Sequence, residues 1–309
     1  MIVPSLFVAD DYKRHMSVNL NTGLWQCFKS GNKGNFIQLY AYLEGITYNK
    51  AESAILFKEL LDGKVFSSPE PQPKKKTNPD REKNLGLVPV TLESYDSENS
   101  LVQKAWAFLY ERKLFNLDDD GFQPTYYVAT GSRVNTLIYR NRLIIPFENN
   151  SGIFYFQARA LGDEAPKYLN ATGDWPKSSS VLYPFDTEED HVVVCEGPFD
   201  AISLQLQGVN ATCTLGCSIS DLQVEELKSF EGKIIVGYDN DAAGRKGVNR
   251  FDYLRRLKRM ADLHICHPPS EVKDWNEAHM KGMDLKRYVG LRTTKYDYDY
   301  LVDHLLTTL

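Results

Sequence analysis

The spacing of apolar residues is most regular from residue 191 onward. Short apolar runs alternate there with longer segments whose apolar residues recur at the spacing of a helix with one buried face. Strands are predicted within residues 191–195, 211–215, 233–238 and 262–266, and helices within residues 199–206, 221–230 and 242–260. This alternation predicts an α/β unit, in which helices cover a parallel sheet.

The chain before this region has a different pattern. Residues 101–114 have helical spacing, whereas residues 137–161 predict strands interrupted by the turn sequence NNSG. Nearer the N-terminus, alternation on both sides of the turn sequence NTG at residues 21–23 predicts a hairpin, and residues 35–45 predict a helix. We therefore expect a multidomain protein with mixed α+β structure followed by an α/β unit.

One segment has the composition of a linker. Residues 67–84, SSPEPQPKKKTNPDREKN, are rich in proline, serine and charge and contain no large apolar residue. We place the domain boundaries as follows: a small N-terminal unit at residues 1–62, a linker at 63–98, an α+β unit at 99–187, the α/β unit at 188–290 and a helical tail at 291–309.

The tail has an apolar stripe. It is formed, at helical spacing, by Leu301, Val302, Leu305, Leu306 and Leu309. Two explanations stay open. The stripe packs back on the chain's own α/β unit, or it docks as a helix into a groove of a partner protein.

Composition limits the possible settings of the protein. The chain is 42% hydrophobic and 25% charged, and no apolar run reaches the roughly 18 residues of a membrane helix, so no membrane contact is expected. The five cysteines are scattered and the N-terminus lacks the pattern of a signal peptide, which predicts a cytoplasmic location. With a net charge of −5, contact with nucleic acid would have to come from local basic stripes.

Acidic residues follow two predicted strands at the point where each strand ends. Glu196 comes after the apolar run VVVC, and Asp239 and Asp241 come after the run IIV. If these strands are neighbours, their acids converge at one sheet edge, where ligands of parallel sheets bind. Repulsion between close carboxylates is about 4 kcal/mol per pair at an effective dielectric of about 20, and a divalent cation relieves it. An all-oxygen set favours Mg²⁺ or Mn²⁺.

The two motifs that contain these acids, EGPFDA at residues 196–201 and DNDAAGR at 239–245, resemble those of the Toprim domain. That domain occurs in bacterial primases, topoisomerases and certain nucleases. The resemblance covers residues 189–282 and implies that Glu196, Asp239 and Asp241 are catalytic and hold metal. It also implies that Asp200 supports them from the start of a helix, where the helix dipole favours an acid.

The same resemblance assigns roles to four further positions. Gly216 corresponds to a small residue that lets the backbone approach a phosphate, and Arg245 of the second motif is expected to contact substrate or template. The segment KDWNE at residues 273–277 resembles a family motif that contributes another acid, so Asp274 is a candidate metal ligand. Asn276 stands where many primases have aspartate, which counts against a complete second metal site.

Three blocks before the Toprim pattern resemble the polymerase domain of DnaG-like primases. They are YRNRLIIPF at residues 139–147, FQARALG at 156–162 and PKYLN at 166–170. The resemblance implies that Arg142, Arg159 and Lys167 contact phosphates or template and that Asn170 supports them. A polymerase needs fixed cations of this kind beside its metal site. For each cation, the alternative is an ordinary surface residue on a strand.

Residues 17–45 resemble the zinc ribbon of such primases in having a hairpin, a knuckle and a following helix. Zinc requires four ligands, usually Cys or His, and of these only Cys27 remains, because Ser30 occupies the partner position and His15 is isolated. We therefore do not expect zinc. Packing is expected to hold the unit together, through Leu24, Trp25, Phe28 and Phe36.

The resemblance as a whole implies a DNA primase, a DNA-directed RNA polymerase that makes short RNA primers on single-stranded DNA from nucleoside triphosphates, with Mg²⁺ or Mn²⁺ and with a replicative helicase as partner. The altered ribbon and short C-terminal region favour a phage-encoded or mobile primase. Two alternatives stay open: a catalytically weak template-binding or replisome-assembly factor, and a Toprim nuclease. Asn276 and the missing zinc ligands favour the former, whereas the retained acids count against it.

Overall fold

The computed structural model describes residues 2–3, 5, 7, 11, 14–19, 24–44, 84–117, 121–131, 137–258 and 260–297. The chain divides into two compact units, residues 1–74 and 75–309. Residues 63–83 of the expected linker and residues 298–309 of the expected tail lie outside the described residues. The rest of the expected linker, residues 84–98, belongs to the folded α+β part, because Leu87–Pro89 forms a strand that pairs with Tyr127–Ala129. Of the helices in the described ranges, none combines the length and the apolar character needed to cross a membrane.

In its described part, the N-terminal unit consists of an antiparallel sheet followed by a helix. The strands pair in chain order and are β1 (Ile2–Val3), β2 (Met16–Val18), β3 (Trp25–Cys27) and β4 (Lys33–Gly34). The helix is α1 (Phe36–Glu44). Pairing of β2 with β3 confirms the hairpin expected around residues 21–23.

The core of this unit differs from the one we expected. Its buried side chains are Met16, Val18, Trp25, Cys27 and Leu39. Trp25 was correctly assigned, but Leu24, Phe28 and Phe36 are 57%, 68% and 54% exposed. The two-residue period of a strand explains Leu24 and Phe28, because Trp25 and Cys27 share the inner face of β3, whereas Phe36 begins α1. Phe7 covers the Trp25 ring instead, with the ring centroids 5.0 Å apart.

The second unit begins with an antiparallel sheet. In spatial order its strands are β5 (Leu87–Pro89), β6 (Tyr127–Ala129), β7 (Arg142–Asn149), β8 (Gly152–Ala160) and β9 (Tyr168–Asn170). Helix α2 (Ser100–Glu111) begins after Asn99, whose side chain accepts hydrogen bonds from two amides of the first turn. Short 3-10 helices cover Leu92–Asp96, Leu137–Tyr139 and Ser178–Ser180. The α+β structure expected for this region is confirmed.

The rest of the second unit alternates strands and helices, as predicted. The elements in chain order are β10 (His191–Cys195), α3 (Pro198–Gln205), β11 (Ala211–Cys213), α4 (Asp221–Leu227), β12 (Lys233–Val236), α5 (Ala242–Leu257), β13 (His264–Ile265), α6 (Trp275–Met280), α7 (Leu285–Arg292) and β14 (Thr294–Lys295). The sheet order is β11-β10-β12-β13-β14. The first four strands are parallel, so the expected Toprim-type sheet with flanking helices is present.

The boundary that we placed after residue 290 falls inside an element. Helix α7 continues to Arg292, and β14 then pairs antiparallel with β13. Tyr296 is 6% exposed, its N–H donates to Leu263 O at 2.9 Å, and its hydroxyl donates to Asn249 Oδ1 at 2.7 Å. Residues 291–296 therefore complete the α/β unit and are not the start of a helical tail, because the edge of β13 offers them backbone partners.

The two parts of the second unit share one hydrophobic core. Buried residues of α2 and of the antiparallel sheet pack in the same cluster as residues of β10, β11 and α3. At this contact the rings of Phe108 and Phe199 lie 5.9 Å apart between centroids. The shared core fixes the C-terminal end of α2 beside the carboxyl ends of the parallel strands.

Candidate active site

The acids expected to converge are at the ends of adjacent strands. Strands β10 and β12 pair in parallel, with Val194 opposite Val236, so Glu196 and Asp239 emerge at the same sheet edge. The backbone N–H of Asp239 donates to Glu196 Oε1 at 3.3 Å. We call the site formed by Glu196, Asp200, Asp239, Asp241 and Asp274 the acidic crevice.

Burial and mutual repulsion disfavour the charged forms of these carboxyls. Burial, and then the charges of Asp239 and Asp241, raise the pKa of Glu196 to about 7. Burial together with Asp274 and Asp241 raises the pKa of Asp239 to about 6. Burial together with Asp274 and Asp239 raises the pKa of Asp200 to about 8. The acidic crevice therefore favours binding of protons or of a cation.

Two of the acids also begin helices. Asp241 is the N-cap of α5, where its Oδ1 accepts from Gly244 N at 2.8 Å, and Asp274 is the N-cap of α6, where its Oδ1 accepts from Glu277 N at 2.8 Å. The turn between β12 and α5 is tight, because a Cβ at Gly244 would collide with the carbonyl oxygen of Asp239. The sequence DNDAAG thus needs its glycine to bring Asp239 and Asp241 to the same edge.

The donor chemistry of the acidic crevice fits a hard divalent cation, because its candidate ligands are carboxylates. Burial, and then the charges of neighbouring carboxylates, raise the pKa values of Glu196 and Asp239, and a bound cation would offset both effects. Across the described ranges, no three His, Cys, Asp or Glu side chains are arranged as a formed metal site. Charge and ligand type support a cation here, whereas a formed ligand set is not present in this conformation.

Basic side chains lie next to the acidic crevice. Arg159 is 9% exposed, and its guanidinium lies 5.3 Å from the Phe108 ring centroid and 5.0 Å from that of Tyr168. Burial lowers the pKa of Arg159, and the nearby charge of Arg112 lowers it further. Burial and the charges of Arg159, Lys273 and Arg112 lower the pKa of Lys167, against the effect of Asp274.

We call Arg112, Arg159 and Lys167 the basic wall. None of the three forms an ion pair with another described residue, and Arg159 Nε has no hydrogen-bond partner. Of the three, Arg159 is buried, Arg112 is half-buried and Lys167 is exposed. A buried cation without an acidic partner is costly unless an anion joins it. The basic wall therefore favours an anionic ligand such as a phosphate.

Arg112 was not among the residues that we expected from the sequence. It caps the C-terminal end of α2, its guanidinium lies 4.8 Å from the Phe108 ring centroid, and its NH1 donates to Asn276 Oδ1 at 2.9 Å. The available signal was the helical spacing of Phe108 and Arg112, which places both on one face of α2. That spacing could not reveal what the face contacts.

The other predicted residues are in less direct positions. Arg142 is buried and its NH1 donates to Pro166 O at 2.8 Å, so it contacts the loop that leads to Lys167. Asn170 accepts from Gln157 Nε2 at 2.9 Å, within the pairing of β8 and β9. Arg245 is exposed, with contacts of 3.4 Å to Asn240.

Gly216 lies in the turn after β11. Its φ of +147° is a conformation that favours glycine, and its N–H donates to Glu196 O at 2.8 Å. Apart from its two chain neighbours, no residue has an atom within 4 Å of the position that its Cβ would occupy. The space beside this backbone, next to Glu196, is therefore open.

The α/β part of the chain also matches a known protein family. A model of the Toprim-like family matches residues 193–279, the part that carries the acidic crevice. The DNA primase of Thermotoga maritima is 25% identical over 296 residues, which cover 84% of this chain and 50% of that protein. The DNA primase of Clostridium acetobutylicum is 35% identical over 127 residues, which cover 38% of this chain and 21% of that protein. The chain is thus similar to DnaG-like primases and carries a Toprim-like domain at residues 193–279.

A solved primase structure shows the same fold. The RNA polymerase domain of Mycobacterium tuberculosis primase DnaG is 21% identical, with a TM-score of 0.51 and coverage of 66% of this chain and 80% of that chain. The chain spans 50% of the length of the Thermotoga primase and 21% of the length of the Clostridium primase. The similarity therefore extends over only part of those primases.

The N-terminal unit departs from the metal-binding form of the primase ribbon. Cys27 is fully buried, and its Sγ accepts hydrogen bonds from Ser5 Oγ at 3.0 Å and from Ser30 N at 3.4 Å. Serines thus occupy both sides of the one cysteine. These contacts give the thiol a packing role within the described part of the unit.

Proposed function

We propose that this chain is a template-directed RNA polymerase that synthesises short RNA primers on single-stranded DNA. The observation that carries the proposal is the position of the basic wall next to the acidic crevice within one shared core. The charge of Asp274 partly offsets the lowering of the Lys167 pKa by burial, and the charge of Lys273 partly offsets the raising of the Asp239 pKa by burial, so cations and acids lie close together. Carboxylates beside unpaired cations match the needs of nucleotidyl transfer.

Glu196 and Asp239 are the proposed ligands for a divalent cation, Mg²⁺ or Mn²⁺, with Asp241 and Asp274 beside them. When bound, the metal would activate the primer 3′-hydroxyl and stabilise the charge on the leaving pyrophosphate. Asp200 would hold a proton near neutral pH when no cation is present, since its pKa is about 8. Its Oδ1 accepts from Asn276 N at 3.2 Å, which fixes the carboxyl at the base of the acidic crevice.

The basic wall is the proposed binding site for the triphosphate and the template backbone. Arg159 is held between two aromatic rings and loses little side-chain freedom when it binds a phosphate. Arg142 would act indirectly, by fixing the loop that carries Lys167. Gly216 offers backbone next to Glu196, whereas Arg245 is free to reach a template strand from the exposed face of α5.

The proposed partners are nucleoside triphosphates, a single-stranded DNA template and a replicative helicase. The first two follow from the unpaired cations and the acidic crevice. The helicase follows from the family alone, because the apolar stripe of the tail lies outside the described residues.

A primer-synthesis assay tests the proposal. Wild-type protein with single-stranded DNA and labelled ribonucleotides should yield short RNA only when Mg²⁺ or Mn²⁺ is present. Asp239→Asn should reduce the yield by about a hundredfold or more, because it removes a proposed metal ligand at nearly constant volume.

The matched control is Asp262→Asn. Asp262 is an exposed acid that precedes β13, so it lies at the opposite end of the parallel sheet from the acidic crevice, in ion pairs with Arg255 and Lys295. It should retain full synthesis. Strand cleavage without RNA synthesis would favour the nuclease alternative, and template binding without either activity would favour the assembly factor.

A further inference from the structure

Asn276 joins the two halves of the second unit. It is the second residue of α6 and is 3% exposed. Its Oδ1 accepts from Arg112 NH1 at 2.9 Å, and its Nδ2 donates to Arg112 O at 3.2 Å and to Ser203 Oγ at 3.0 Å. One side chain thus binds the end of α2 in the α+β part and α3 in the α/β part.

These contacts need an amide. Ser203 Oγ already donates its hydrogen to Phe199 O at 2.7 Å, so it can only accept from Asn276, and the carbonyl of Arg112 can only accept as well. A carboxylate at position 276 would bring oxygen against both acceptors and would add negative charge beside Asp200. An apolar side chain would leave the Ser203 and Arg112 groups without these partners.

The amide also preserves the charge of Arg112. Arg112 and Arg159 lie over the same Phe108 ring, at 4.8 Å and 5.3 Å, and neither forms an ion pair with another described residue. A carboxylate at this position would neutralise Arg112. A neutral acceptor orients the guanidinium and leaves its charge for a bound anion.

We propose that Asn276 is a positioning residue, whose side-chain amide holds the Arg112 guanidinium at the edge of the acidic crevice, oriented for the phosphates of an incoming nucleotide. Asn276 acts through Arg112 and is not a metal ligand in this chain. The inference rests on the proposed function, because that function supplies the nucleotide.

Two variants test this role. Asn276→Asp adds a charge that pairs with Arg112, and Asn276→Ala removes the amide without adding charge. Both should raise the KM for nucleotides about tenfold while kcat changes less than about threefold, because they affect the binding of phosphates more than the chemical step. The dissociation constant of fluorescently labelled ATP, measured by anisotropy with Mg²⁺, should rise by the same factor.

Ser203→Ala is the matched control. It removes one partner of the Asn276 amide but keeps the bond between Arg112 NH1 and Asn276 Oδ1. It should lower the thermal midpoint, with the affinity for labelled ATP within about twofold of wild type. In an Arg112→Ala background, Asn276→Ala should add less than about twofold to KM, since residues that act as a unit have non-additive effects.

The outcomes separate the inference from the proposed function. If wild-type protein binds labelled ATP and Asn276→Ala binds it equally well, the positioning role is wrong, whatever happens to thermal stability. Additive effects of Asn276→Ala and Arg112→Ala on KM also overturn it. If wild-type protein neither binds labelled ATP nor makes primers, the proposed function fails first and the inference fails with it.

Discussion

The backbone N–H of Asp239 donates to Oε1 of Glu196 at 3.3 Å and joins the ends of two neighbouring parallel strands. The two carboxyls therefore share one crevice, and burial with repulsion raises the pKa of each. Charge on both carboxylates would favour metal binding and therefore activity. The same charges lower the stability of the metal-free protein, because they repel each other when no metal is bound.

Glu196→Gln should reduce the yield of primer synthesis by about a hundredfold or more. Without metal, the variant should be at least as stable as the wild-type protein. The substitution removes a buried charge but keeps an oxygen that can accept from Asp239 N. Calorimetry in EDTA measures the stability, and the primer assay measures the activity. A fully active Glu196→Gln protein would refute the role of this residue.

Asp241 has two roles that substitutions can separate. Asp241→Ala and Asp241→Asn should both abolish synthesis, because each removes the carboxylate. Only the alanine variant should lose stability, by about 1 kcal/mol, since asparagine still caps α5 through the Gly244 amide. Urea denaturation of the two variants checks the difference, and equal stabilities would show that the cap contributes nothing.

Stability of the metal-free protein should fall as pH rises from about 5 to above 8. The pKa values of Asp239, Glu196 and Asp200 are raised to about 6, 7 and 8, so the folded state binds protons that the unfolded state has already released. The stability that such groups contribute is fully present at a pH below their unfolded pKa of about 4. It is lost as the pH rises through their folded pKa.

Denaturation in EDTA across this pH range measures the effect. Asp200→Asn should make the dependence less steep, because it removes the group with the highest of the three pKa values. Mg²⁺ should restore stability at high pH, where the carboxylates are charged. A rise in stability between pH 5 and 8 in EDTA would contradict the raised pKa values.

The N-terminal unit should contain less than one zinc per chain. Cys27 is the one recognisable ligand of the ribbon, and its thiol contacts Ser5 and Ser30. Elemental analysis of the purified protein gives the zinc content, and circular dichroism before and after chelation gives the structural effect. One zinc per chain, or unfolding of residues 1–62 by a chelator, would show that the ribbon still binds metal.

Tyr296→Ala should destabilise the protein by about 2–4 kcal/mol, because a buried aromatic side chain and its hydrogen bond to Asn249 are lost. Truncation after Thr293 should have at least as large an effect, since it also removes β14. Truncation after Asp297 keeps these contacts and tests the tail alone. A thermal midpoint unchanged by Tyr296→Ala would contradict the assignment of β14 to the sheet.

Truncation after Asp297 distinguishes the two explanations of the apolar stripe. Loss of stability would show that the stripe packs on its own α/β unit. Unchanged stability and unchanged synthesis on naked DNA, together with loss of helicase-stimulated synthesis, would show that it docks on the helicase. If none of these quantities changes, both explanations fail.

The sequence by itself determined the parallel sheet and the edge where Glu196 and Asp239 lie. These features depend on local periodicity and on motifs a few residues long, which one chain segment contains in full. The Toprim resemblance then identified the acids because their spacing within a strand–turn–helix is local as well.

Only the tertiary structure decided which surfaces meet. Arg112 and Asn276 are 164 positions apart, and nothing in either segment indicates that the end of α2 contacts α6. The exposure of Phe28 and Phe36 was also decided by packing, because apolar character does not say which face of an element is buried. The pairing of β14 with β13 was decided in the same way, because the sequence does not show which strand edge has unpaired backbone groups. Periodicity specifies that a face is buried, whereas packing among distant segments selects its partner and completes the site.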